Sequence, residues 1–283
     1  MTTAPLTAWD HVQIARHIQR PHTLDYIRGL CEEFVELHGD RHFGDDASMI
    51  AGLARFNGQT VAVLGQQKGS NTKENIRYNF GSPHPEGYRK ALRIMRHAEK
   101  FRFPLLCFID TPGASPNMES EARGQGWAIA ENLMVMADLR TPIIATVIGE
   151  GGSGGALAIG VADRLLMLEY AIYSVVSPEG CAAIVWRDAA KAPEAAAAMK
   201  ITSQDLQHLG ITDEVVPEVA GGAHLDPTDA IAKVGEALGR QLAELQELSL
   251  DDLLRRRYEK YRAIGVFHEL QTSAARNGKI DLH

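Results

Sequence analysis

Only three cysteines occur in the 283 residues, Cys31, Cys107 and Cys181. They are too few and too widely spaced for a CxxC pair, a zinc site or a disulfide framework. Their scarcity excludes a disulfide-stapled secreted scaffold and points to a reducing, cytoplasmic setting. Basic charge is also in deficit: 29 Lys and Arg stand against 36 Asp and Glu, a net charge of -7. No overall positive field therefore draws the chain to nucleic acid or anionic lipid. The longest apolar runs, such as Ile143 to Ile148, are too short to cross a bilayer. The first residues, Met1 to Gln13, lack the basic patch and apolar stretch of a signal peptide. What is present is ordinary core material, 45% hydrophobic and 23% charged residues, enough for one or two domains.

The pattern predicts a helix from Leu6 to His17 and a second from Thr23 to His38, closed by Gly39, with a stripe of Leu24, Ile27, Leu30, Cys31, Phe34 and Leu37. A hairpin follows, with strands Met49 to Phe56 and Thr60 to Gln66 joined by Asn57-Gly58, a dipeptide that tolerates positive φ at both turn positions. Asn71 to Pro85 is polar and reads as a long mobile loop. From Gly87 the pattern alternates: helix to Phe101, strand Leu105 to Ile109, helix Glu119 to Ala137, strand Ile143 to Ile148, then a helix opening in a glycine cluster. Such alternation is an α/β layout. Short strands are predicted at Arg164 to Leu168, Ile172 to Val176 and Ile211 to Val216, with helices at Pro178 to Trp186, Lys191 to Met199 and from Thr202. A long amphipathic helix after Pro227 runs to about Ala263 as a packing or oligomer arm.

Gly149-Glu150-Gly151-Gly152-Ser153-Gly154-Gly155-Ala156 fits several templates at once. Gly149, Gly151 and Gly154 satisfy GxGxxG with Glu169 at 20 residues' distance, but the fingerprint normally follows the first strand of its unit, and here a hairpin and another strand come earlier. Gly151, Ser153 and Gly155 spell the G-x-S-x-G of hydrolases, with Asp163, Asp213, His208 and His224 downstream. A phosphate loop fails because Gly155-Ala156 stands where Lys-Ser/Thr is needed. Small residues that merely let a helix pack on a sheet are a further reading. Consecutive glycines at a helix start also turn peptide N-H groups toward a ligand oxygen, where the positive helix end favours negative charge. Gly154 and Gly155 are thus candidate oxyanion-hole donors, with Gly151, Gly152 and Ser153 beside the ligand. Asp110-Thr111-Pro112-Gly113-Ala114 ends the preceding strand, so two strand-end loops converge, although these are also the usual residues of a plain turn. No acid/base carboxylate pair and no metal-spaced cluster announces itself. His42 and His97 read as surface or satisfied core histidines.

These residues bear a likeness. The segments Gln19-Arg20-Pro21, Gln67-Lys68-Gly69, Pro85 to Leu92, Ile109 to Ala114, Val147 to Gly160 and Ser177 to Cys181 occur in the order found in the α-subunit family of bacterial acetyl-CoA carboxylase carboxyltransferases. The chain resembles that family over about residues 8–265. The resemblance implies a crotonase-like fold, a ββα spiral with flanking helices and a long C-terminal helix. It divides the chain into a helical segment at 1–45, a carboxyltransferase core at 46–225 and a C-terminal helical arm at 226–283. It implies transfer of a carboxyl group from carboxybiotin, borne on a biotin carboxyl carrier protein, to acetyl-CoA, giving malonyl-CoA for fatty acid synthesis. The missing base is then supplied by the biotin group itself.

By position the biotin-side oxyanion hole falls on Gly154 and Gly155. The glycine pair facing acetyl-CoA and a zinc ribbon belong to a β subunit, and the implied assembly is α2β2. No metal is expected in this chain, and neither subunit alone is expected to be active. Substrate contacts are expected from Pro112, Gly113, Ala114, Lys68 and Arg89, with Arg77 a further candidate for coenzyme A phosphates. Valine at both Gly154 and Gly155 is expected to abolish transfer and spare folding. Two departures stand out: the family's helical extension before Trp9 is largely missing, and Ser115-Pro116-Asn117-Met118 replaces the usual Tyr-Pro-Gly. The alternatives are a related complex acting on another acyl-CoA and a scaffold that only docks the carrier.

Overall fold

A computed structural model describes residues 6–265; residues 1–5, and the part of the expected C-terminal arm at 266–283, lie outside the described residues. The first helix, α1 (Ala8–Ala15), opens on a reciprocal cap: the Thr7 hydroxyl accepts from the Asp10 N-H at 3.2 Å and the Asp10 carboxylate accepts from the Thr7 N-H at 2.8 Å. Next, α2 (Thr23–Leu30) stops eight residues short of the predicted end, and β1 (Glu32–Glu36) takes the rest of that segment. The cause is tertiary. Gly52 leaves room for the crossing strand, since a Cβ there would meet the Val35 carbonyl at 2.3 Å, and pairing with β2 (Met49–Phe56) outweighs the helical period. The hairpin of β2 and β3 (Gln59–Gln66) forms at Asn57-Gly58 as predicted, both residues with positive φ.

The predicted loop is more ordered than expected: it holds α3 (Thr72–Arg77), capped by Asn71, and a 3-10 turn at Asn79–Gly81. Then α4 (Pro85–Phe101) leads to β4 (Leu105–Thr111). The helix predicted at 119–137 is two, α5 (Met118–Ala122) and α6 (Gln125–Asp138), parted at Gly124, whose φ of +82° a continuous helix cannot accommodate. After β5 (Ile143–Gly152) come α7 (Ser153–Leu157), β6 (Arg164–Leu168), β7 (Ile172–Ser174), α8 (Pro178–Trp186), α9 (Ala192–Met199), α10 (Ser203–His208) and β8 (Glu214–Val216). The last predicted helix is also two, α11 (Pro227–Gln246) and α12 (Leu250–Ala263), because Ser249 caps a new start with its hydroxyl accepting from the Asp252 N-H.

The strands make one sheet in the order β1-β2-β3-β4-β5-β6-β8, antiparallel through the hairpin and parallel from β3 onward. β4 and β5 are buried along their whole length, as parallel strands covered on both faces are. One edge of β5 serves β4. The other serves β6 at Ile144–Val147 and then β7 at Glu150–Gly152, so the sheet forks there. The α4 face made of Tyr88, Ala91, Leu92, Met95 and Ala98 is buried in the core, with the helix packed on β2, β3 and α6. Burying one such Leu or Met contributes about 1.5–3 kcal/mol. On the far side α11 packs on α2, β5 and β8. α12 is held by Arg257, whose guanidinium meets both Asp163 carboxylate oxygens at 2.8 and 2.7 Å and the carbonyls of Met136, Leu139 and Thr141.

Candidate functional site

The strand β5 does not end at Ile148 as predicted but continues through Gly149 to Gly152, because β7 pairs with it there. Gly152 is required by close approach: a Cβ would lie 2.2 Å from the Pro112 carbonyl oxygen. The chain then turns in one residue, Ser153, at φ +53°, and α7 starts with no side chain capping it. The first N-H groups of a helix have no partner within it. Opposite them stands the loop after β4. A Cβ on Gly155 would lie 2.4 Å from the Ala114 nitrogen and 2.7 Å from the Gly113 carbonyl carbon, so the two loops touch backbone to backbone. Among the described residues the Ala114 N-H makes no hydrogen bond. Gly154 differs, with only Ile129 methyl carbons at 3.7 and 3.8 Å from its Cβ position. Valine at Gly155 would therefore collide with backbone, and the expectation that both glycines accept valine without harm to folding fails at that position.

Ser153 and Gly154 line a mostly apolar cavity of about 430 Å3, walled by Leu157, Tyr173, Val175, Met199 and Leu209. A smaller cavity of about 230 Å3 is lined by Pro112, Arg16, His22, Lys68, Phe80 and Glu150. Its floor is a chain of charges. Lys68 Nζ donates to Asp110 at 2.7 Å and lies 3.5 Å from Glu150, Arg16 bridges Glu150 and Glu179 at 2.7 and 2.6 Å, and His22 Nδ1 lies 2.9 Å from the second Asp110 oxygen. Burial alone would raise the Asp110 pKa, but the Lys68 charge and the His22 hydrogen bond hold the carboxyl well below the usual range. For Lys68 burial works downward, and the carboxylates of Asp110 and Glu150 outweigh it and keep the ammonium charged. Asp110 also accepts the Glu150 N-H at 3.1 Å, tying the end of β4 to β5.

Pro112, Gly113 and Ala114 are thus brought against Gly151, Gly152, Ser153, Gly154 and Gly155. Lys68 lies under that junction with its charge committed to carboxylates. Arg89 is elsewhere, held by Asp40, Glu86 and the Arg123 carbonyl. Arg77 lies beside Tyr78 in a separate groove with Leu24 and Phe34. The hydrolase template loses both carboxylates and one histidine: Asp163 is bound by Arg257, Asp213 by Lys260, and His224 stacks on His17, while His208 ends α10. The dinucleotide template loses its turn, since Gly149 and Gly151 lie inside a strand and Glu169 accepts the Glu218 N-H. Sequence reasoning passed over Gln66, His22, Arg16 and Glu150. Gln66 had one signal, a polar side chain closing the apolar run Val61 to Gly65. The others had none, because their partners lie far along the chain.

The sheet with its flanking helices has a crotonase-like architecture. Two solved structures share the fold: the Pseudomonas malonate decarboxylase hetero-tetramer in complex with coenzyme A, with a TM-score of 0.66 and 21% identity over 86% of this chain and 92% of that one, and transcarboxylase 12S, with a TM-score of 0.63 and 19% identity over 90% of this chain and 44% of that one. The chain belongs to the acetyl co-enzyme A carboxylase carboxyltransferase-like family, whose model matches residues 1–265. It is 59% identical over 261 residues, 92% of this chain and 83% of the relative, to the acetyl-coenzyme A carboxylase carboxyl transferase subunit alpha of Stutzerimonas stutzeri. It is 54% identical over 272 residues, 96% and 84% respectively, to that subunit of Halalkalibacterium halodurans.

Proposed function

We propose that this chain is the α subunit of a biotin-dependent acetyl-CoA carboxyltransferase, taking part in the conversion of acetyl-CoA to malonyl-CoA for fatty acid synthesis. The observation that carries the reading is the backbone pair of loops: N-H groups at the start of α7, across from the Ala114 N-H, beside an apolar cavity. Biotin fits this setting, because its neutral ureido carbonyl accepts two N-H donors and its apolar ring needs no ionic partner. Carboxybiotin, carried on a biotin carboxyl carrier protein, supplies the carboxyl group when bound.

The protein's part is electrostatic. Backbone donors on Gly154, Gly155 and Ala114 would stabilise negative charge growing on a bound oxygen, and being backbone they need no reorganisation as it does so. Removing one such donor typically costs a factor of about 100 to 1,000 in turnover. The apolar walls Leu157, Tyr173 and Val175 offer those donors few competing polar groups. Asp110 and Lys68 hold the β4 loop in register with β5.

Large apolar side chains lie exposed on α6, including Trp127 and Met134, and beside the cavity at Val175. An exposed apolar surface of this kind suits a partner, and we assign it to a zinc-ribbon β subunit carrying the acetyl-CoA site, in an α2β2 complex of the cytoplasm. The test is the reverse reaction, malonyl-CoA plus biocytin, run with this chain alone and co-expressed with the β subunit of the same genome. Activity only in the complex supports the reading. A stable complex that leaves malonyl-CoA untouched overturns the substrate, and turnover undiminished in Gly154→Val overturns the site.

A further inference from the structure

Gln66 is fully buried at the end of β3, and its side-chain amide spans the two loops of the candidate site. Its Nε2 donates to the Gly155 carbonyl at 3.0 Å, and its Oε1 accepts the Asp110 N-H at 3.2 Å. Both contacts answer local defects. In α7 the Ala158 N-H returns to Gly154 and the Ile159 N-H to Ala156, so among the described residues no backbone donor reaches the Gly155 carbonyl. In β4 the Asp110 N-H faces β3, and the pairing of β3 with β4 ends at Gly65 and Phe108, which leaves that N-H past the end of the ladder. One amide thus satisfies an orphaned acceptor on one loop and an orphaned donor on the other.

The geometry matters because Gly155 has no side chain to restrict its rotation. Anchoring its carbonyl fixes the peptide plane between residues 155 and 156 and the ψ angle of the residue whose N-H is a proposed donor. A hydrogen bond lost at a buried carbonyl leaves that group unsatisfied, and a peptide rotation is the cheapest escape. We propose that Gln66 is a positioning residue that holds the Gly154 and Gly155 N-H groups toward the ligand oxygen and sets their distance from the Ala114 loop. The proposal rests on the function given above.

The experiment uses the complex with the β subunit and two variants. Gln66→Met keeps the volume and removes both hydrogen bonds. It is expected to lower kcat for carboxyl transfer at least about tenfold with KM for malonyl-CoA within about twofold of wild type, because the acyl-CoA site is elsewhere. A Gln66→Met complex that is folded by thermal melting and keeps wild-type kcat overturns the proposal while leaving the function standing. No turnover by the wild-type complex overturns both.

Gln66→Glu decides the matter even if the methionine variant fails to fold. A protonated Glu can donate to the Gly155 carbonyl as the amide does, and the carboxylate cannot. The site is faced by Asp110 on β4, Glu150 on β5, Lys68 just past β3, His22 before α2 and Tyr88 on α4. The ratio of variant to wild-type kcat is expected to fall as pH rises from about 6 to 9 across the titration of this buried carboxyl. A ratio that stays flat and close to one overturns the positioning role.

Discussion

The guanidinium of Arg257, fully buried, and the ammonium of Lys68, partly buried, both lie against carboxylates, but they are surrounded differently. Arg257 is enclosed on every side, by Asp163 and three backbone carbonyls of the α6 end and its following turn. Lys68 sits in an open-ended chain of Asp110, Glu150, Arg16 and Glu179 that faces a cavity, and there His22 Nε2 is buried with no partner among the described residues. The first arrangement is closed and serves to fasten α12. The second keeps room beside it and sets the loop after β4. Buried charge alone therefore does not mark a functional site; what distinguishes the two is whether every donor is used up by fixed structure.

The largest effect expected from breaking this contrast is at Arg257. Methionine there leaves Asp163 buried and unpaired, with an expected loss of about 3–5 kcal/mol, read as a lower urea midpoint, while kcat per folded complex stays at the wild-type value. Lys68→Met is expected to cost less stability, about 1–3 kcal/mol, because the cavity admits water, but to lower kcat about tenfold through misplacement of the β4 loop. Equal effects of the two variants on kcat would erase the distinction.

Acid sharpens it further. The folded-state pKa of Asp110 is depressed, so its stabilisation is fully present above the unfolded carboxylate value of about 3.9 and is lost as pH falls below it. Lys68→Met should flatten that dependence in acid denaturation, and an unchanged slope would show that Lys68 does not set it. The smallest effect separates the glycines: Gly154→Ala should shift stability by less than about 1 kcal/mol, whereas Gly155→Ala, which presses on the Ala114 backbone, should cost about 1–3 kcal/mol. Calorimetry of the two variants side by side checks this.

How much of this was legible in the sequence depends on how far each feature's partner lies along the chain. The hairpin at Asn57-Gly58 and the parallel strands β4 to β6 carry their own signals of turn chemistry and apolar runs, and they form where predicted, β4 and β5 running on past their predicted ends to Thr111 and Gly152. The loops at 110–114 and 149–155 were visible as glycine and proline punctuation after strands. β1 was hidden because Phe34 and Leu37 fit a helical stripe as well as a strand, and only Gly52, far along the chain, decides between them. The breaks at Gly124 and Ser249 had local marks, a glycine and a capping serine, that the longer amphipathic pattern overrode. Gln66 could not be seen at all as a bridge, since its two contacts are 44 and 89 residues away.

The fork in the sheet has a consequence for motion. Because β5 is bonded to β4 along one edge and to β6 and then β7 along the other, the stretch Glu150 to Gly152 keeps its place when either neighbour frays. Hydrogen exchange is expected to be slower there than at the free N-H groups that open α7. The N-H groups that α7 offers thus follow directly on a strand held along both edges, and whatever adjusts to an arriving ligand must do so around them.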